Sequence, residues 1–176
     1  MVDEAKPEPT EEGLLPQSGG WYVVNARETR WVGMDGLWRG AWIEPEEEWA
    51  GLAFHLTVLD PGNPMAKYHG ERDQEEFLIV SGEATLIIEG EERHLRTWDF
   101  VHCPPWTEHV IVGAGDRPCV IVAVSTRSPE RGVRYVANEL AAAHGASPPE
   151  TTTDPAAAYT DASPPRLLGY REGDLP

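Results

Sequence analysis

Glycine and proline interrupt this chain so often before residue 134 that no long helix fits, and that punctuation decides the fold class. The intervening runs are short and rich in β-branched and aromatic residues, as strands are. They cover 21–24, 36–43, 52–59, 77–80, 83–89, 98–103 and 117–125. Turn chemistry separates them: Asp60-Pro61-Gly62-Asn63-Pro64, Ser81-Gly82 read as a hairpin-like turn, Glu89-Gly90, and Pro104-Pro105. The acidic run 44–48, broken by Pro45, reads as a solvated loop. The run from Cys119 to Ser125 is apolar at nearly every position, as in a strand covered on both faces. Many short strands at regular spacing describe an all-β fold, a barrel or double-sheet jelly roll.

The termini read differently. Residues 1–20 mix prolines and glycines with acids and are expected to form a flexible arm. The barrel is expected over 21–133, followed by a C-terminal helix and Pro-rich tail over 134–176. The helix is read over 134–144, stopped by Gly145, and a second short helix starts at Asp154-Pro155, with Asp as cap and Pro at the first position. The tail has too few apolar residues for its own core, so it packs across the barrel or onto a second subunit. Arms of this kind and open strand edges point to a homodimer.

Charge excludes some partners. Thirty Asp+Glu against fourteen Lys+Arg give −16, which disfavours nucleic acid and anionic membrane. No apolar run approaches the roughly 18 residues of a membrane helix. The acidic N-terminus does not resemble a secretory signal, so a cytoplasmic protein is expected. The two cysteines, Cys103 and Cys119, sit in apolar strands and are expected as buried free thiols.

Four side chains in the stretch from Tyr68 to Gly113 carry the chemistry: His69, Glu71, Glu75 and His109. Side chains on a strand alternate faces, so His69 and Glu71 share one side of a short segment. With Glu75 pointing inward, Phe77 and Ile79 point inward as well. Tyr68 faces away and is read as packing. Imidazole nitrogen and carboxylate oxygen are both good donors to a divalent cation. Two acids buried together without a cation repel and take up protons, a cost that a metal removes. With M²⁺, two neutral imidazoles and two carboxylates sum to zero. Zinc, manganese, iron and nickel are the candidate ions, and affinity order alone favours zinc, copper or nickel over manganese or iron. Phe77 and Trp106 would shape an apolar wall for a small-molecule ligand. His55, in phase with Thr57 on the strand Leu52–Leu59, could face the same cavity, though a lone histidine is more often a hydrogen-bonded core residue. His102 alternates away from Val101 and Cys103 and so away from this site, and His94 between two arginines reads as surface.

The same stretch resembles the two sequence motifs of the cupin family. Gly62, His69, Glu71, Glu75 and Gly82 follow the first, in which a second histidine usually stands where this chain has Glu71. Pro104 and His109 follow the second, with Trp98 and Trp106 at positions the family gives to glycine and Gly113 at one it gives to asparagine. The resemblance covers roughly residues 50–126. It implies a double-stranded β-helix with a metal in its barrel, held by His69, Glu71, Glu75 and His109. It also implies metal-dependent small-molecule chemistry of dioxygenase, isomerase or lyase type. The alternative is a non-catalytic module holding metal or ligand. A fold does not fix an activity, and the cavity beside the donors discriminates the two readings.

Overall fold

The computed structural model describes residues 1–45 and 51–176. Most of the acidic run 44–48 lies outside the described residues. Its first member departs from the reading above: Glu44 is buried, accepts from the Phe54 amide at 2.5 Å and pairs with Arg127 at 2.7 Å.

Fourteen strands and two short helices make up the described chain. In order they are β1 (Glu8–Thr10), β2 (Gly13–Leu15), β3 (Trp31–Gly33), β4 (Arg39–Ala41), β5 (Leu52–Leu59), β6 (His69–Glu71), β7 (Glu75–Ser81), β8 (Glu83–Ile88), β9 (Glu91–Arg96), β10 (Phe100–Cys103), β11 (His109–Ala114), β12 (Cys119–Thr126), β13 (Val133–Tyr135), α1 (Glu139–Ala143), α2 (Pro155–Ala158) and β14 (Arg166–Leu168). Two antiparallel sheets face each other. The larger runs β10-β7-β12-β5-β4-β3-β14, and the smaller β13-β6-β11-β8-β9. This is the all-β jelly-roll architecture expected from the sequence.

Three apolar layers hold the sheets. Between them lie Leu59, Phe77, Ile79, Leu86, Leu95, Ile111, Cys119 and Ile121. Behind the smaller sheet, Tyr68, Ile87, Val110 and Val112 pack under Ala141 and Ala146 of the C-terminal segment. Behind the larger, Trp31, Val58 and Val120 pack against Leu168, Tyr170 and Leu175. Strands β11 and β12 are therefore covered on both faces, which explains their unbroken apolar runs. Cys103 and Cys119 are buried free thiols, and burial pushes both up to about 12, so they are inert at neutral pH.

Three local expectations are corrected. Ser81-Gly82 does not close a hairpin: β7 pairs with β10 and β12, and β8 with β9 and β11. The chain there turns a corner between sheets. Gly82 has φ +79°, and a Cβ on it would stand 2.5 Å from the Pro118 carbonyl oxygen. The run 21–24 is not a strand; Trp21 makes an isolated bridge with Glu4. Within the segment 1–20, β1 and β2 pair as a short hairpin. The helix read over 134–144 begins at Glu139, because Val133, Arg134 and Tyr135 are taken by pairing with β6; Asn138 caps it by accepting from the Ala141 amide. Asp154 caps α2 as expected, with Pro155 at its first position. The tail lies along its own barrel, β14 pairing with β3.

Candidate metal centre

Sheet pairing explains how donors 40 residues apart meet. β6 and β11 are antiparallel neighbours, and His69 stands directly opposite His109. Their rings are 5.2 Å apart between centroids. Glu75 comes from the start of β7 in the facing sheet and brings its Oε2 to 3.4 Å from His109 Nε2. The ligand atoms of His69, Glu75 and His109 all lie within 4.8 Å of one another. Glu71 stands beside them, its Oε1 at 3.5 Å from His69 Nε2 and its side chain 35% exposed at the rim.

The backbone sets the tautomers. His69 Nδ1 is 2.7 Å from the Lys67 carbonyl oxygen, and His109 Nδ1 is 3.0 Å from that of Thr107. A carbonyl only accepts, so each Nδ1 carries the hydrogen and donates. That leaves His109 Nε2 facing Glu75 and His69 Nε2 facing Glu71. Metal-binding histidines are oriented in this way in general.

Electrostatics agree with the geometry. Burial pushes the Glu75 carboxyl up to about 7, with Glu71 adding repulsion. Burial pushes His109 down to about 4, which keeps its imidazole neutral and available. Burial also opposes a charge on His69, but hydrogen bonding to Glu71 and the charges of Glu75 and Glu71 outweigh it and hold that ring above its ordinary value. The cluster without a cation therefore retains protons at neutral pH, which a divalent ion would displace. The donor set of two imidazoles and a carboxylate, oriented from behind, fits such an ion.

A cavity of about 310 Å³ adjoins the donors. His55, Thr57 and Phe77 line it, and the Phe77 ring lies 5.3 Å from that of His109. Trp106 does not line this cavity; it is half exposed and lines a larger outer one, about 790 Å³, which shares His55 and Glu71 with the inner. Tyr68 is buried behind the sheet, its hydroxyl accepting from the Gly90 amide at 3.4 Å. His102 is exposed and pairs with Glu76, and His94 is on the surface.

The C-terminal segment adds residues that sequence reasoning missed. Tyr135, opposite His69 on β13, packs its ring 5.8 Å from the imidazole. Tyr159, just after α2, meets Tyr135 edge-on at 5.5 Å and lines the inner cavity. Its hydroxyl accepts from the Lys67 amide at 3.1 Å. Burial holds both phenols above their ordinary range, so each keeps its proton. The buried Lys67 ammonium ties this segment down through Asp161 at 2.8 Å and the Gly145 carbonyl at 3.3 Å.

A family model described as "Cupin domain" matches residues 55–125, the span that builds the two facing sheets around the donors. Residues 55–125 are a cupin domain. Among curated proteins, the glucose-6-phosphate isomerases of Pyrococcus horikoshii and Thermococcus litoralis are 30% and 32% identical to this chain over 95 residues, covering 47% of this chain and 50% of theirs. The chain thus spans about half the length of the curated relatives it matches. A solved cupin-superfamily sugar phosphate isomerase from Silicibacter pomeroyi superposes with TM-score 0.53 at 22% identity, covering 58% of this chain and 66% of that one, and shows the shared fold.

Proposed function

We propose that this cupin is a metal-dependent isomerase acting on a small sugar-type substrate, a hydroxyl group beside a carbonyl. The observation that carries the reading is a three-donor cluster opening onto a cavity of about 310 Å³. A structural metal would have its coordination closed by protein, whereas a catalytic one keeps a position for substrate. The names of the curated relatives support sugar phosphates as the class.

His69, Glu75 and His109 would hold the ion, whose contribution when bound is Lewis-acid polarisation of the carbonyl and hydroxyl oxygens. The remaining steps belong to the chain. Aldose–ketose interconversion moves one proton between adjacent carbons and another between their oxygens. Glu71 was expected from the sequence as a fourth ligand. It lies at the rim, exposed to both cavities, and we assign it the carbon-to-carbon transfer. The Tyr159 phenol keeps its proton and faces the same cavity, in position to bond a substrate oxygen. Phe77 and Trp38 supply the apolar walls that keep water out.

The test is an assay of metal-loaded protein against aldose and ketose phosphates in D₂O, followed by NMR. Interconversion with deuterium entering the carbon beside the carbonyl is expected. Glu71→Gln should lower kcat by about 100-fold or more while bound metal is retained. Metal-loaded protein that turns over none of these sugars would reduce the site to a binding module.

A further inference from the structure

The two cavities at this site differ in charge. Among the described residues, the lining of the inner one includes no lysine or arginine. Among the described residues, the outer one is lined by Arg127, Arg131 and Arg134 with two carboxylates, Glu71 and Asp73. Its described lining thus groups three guanidinium side chains, in a chain of net charge −16. Acids stand close to these arginines, and Asp73, which faces Arg131, is also held by its own chain. Asp73 accepts from the Ser128 amide at 2.8 Å and from the hydroxyls of Ser128 and Thr126 at 2.5 and 3.1 Å. Glu44 braces Arg127 from behind at 2.7 Å, both side chains being largely buried. Arg134 is held loosely, 3.6 Å from Glu108 and 55% exposed, so it can swing onto a ligand.

We infer that Arg127, Arg131 and Arg134 receive the phosphoryl group of the substrate at the mouth of the barrel, while its carbon end reaches His69, Glu75 and His109. The isomerase reading supplies the position of the reacting end; the anion site does not depend on turnover. A guanidinium is permanently charged and presents paired N–H groups that match two oxygens of a phosphate. Three of them exceed what a carboxylate monoanion needs and suit a dianion. The shared side chains His55 and Glu71 mark where the substrate would pass from one cavity to the other.

The experiment is isothermal titration of the full chain with inorganic phosphate and, separately, with acetate, with metal content measured in every sample. Wild type should bind phosphate saturably and more tightly than acetate. The double variant R131Q/R134Q should bind phosphate at least about tenfold more weakly, with metal content and melting temperature unchanged. Chelator-stripped wild type should keep its phosphate affinity. Three results would overturn the assignment: phosphate affinity untouched by the double variant, phosphate binding that disappears with the metal, or acetate bound as tightly as phosphate. Phosphate binding at the arginines in a protein that takes up no metal would sink the isomerase reading and leave this one standing.

Discussion

At the residue scale, two tryptophans replace glycine at a cost. Trp98 and Trp106 occupy the cupin motif's glycine positions, and both keep the left-handed conformation that glycine adopts freely, with φ of 75° and 69°. A side chain in that region costs about 1–2 kcal/mol. Trp98 is 72% exposed, so little packing offsets the cost. Trp98→Gly should therefore stabilise the protein by about 1 kcal/mol in denaturant unfolding, and an unchanged or lower midpoint would show that the ring is held by contacts. Gly113 is the converse case: a Cβ there would meet the Asp60 carbonyl oxygen at 2.4 Å, so alanine does not fit without moving backbone. His69, Glu75 and His109 were legible because strand alternation and motif spacing agree. Tyr135 and Tyr159 were not. Their place beside His69 depends on β13 pairing with β6, a long-range contact that local pattern does not encode.

At the element scale, the long strands were legible and the short ones were not. Leu52–Leu59 matched its sequence reading, since a long apolar run bounded by turns signals itself. The strands Trp31–Gly33 and Arg166–Leu168 have only three residues each, too few to show a period, and form because they pair with one another. The turn at Ser81-Gly82 was misread because its local chemistry is that of a hairpin, and only the sheet assignment reveals a corner. The C-terminal tail is latched by charge. Asp174, fully buried, accepts from Arg39 at 2.6 and 2.7 Å and from Arg171 at 2.9 Å, while Asp60 pairs with the same two arginines. Asp174→Ala leaves Arg39 partly uncompensated and should cost about 3 kcal/mol of stability, read from chemical denaturation. Hydrogen bonding to Arg39 holds Asp60 below its ordinary 3.8. A depressed carboxyl contributes stability above its unfolded value and loses it as pH falls through the folded one. The tail should thus loosen first below about pH 4, seen as amide exchange at β14 rising ahead of the barrel strands.

At the scale of the whole molecule, the C-terminal segment packs against the outer faces of both sheets of the jelly roll. No described helix is long and apolar enough to cross a membrane. One edge of the larger sheet is β10, where exposed Phe100 follows exposed Trp98. Unpaired edges with apolar side chains invite pairing, and we expect a homodimer through this edge. Light scattering should give twice the 19.5 kDa chain mass, with Phe100→Lys shifting it toward monomer; a wild-type monomer would contradict this.

The proposed function requires a divalent cation, which His69, Glu75 and His109 would hold. Elemental analysis after incubation with zinc, manganese, iron and nickel, followed by desalting, tests it most directly. Wild type should retain close to stoichiometric metal and His109→Ala almost none, with the β-sheet circular dichroism of both alike. Wild type that retains none of the four ions, or His109→Ala that retains as much as wild type, would contradict it.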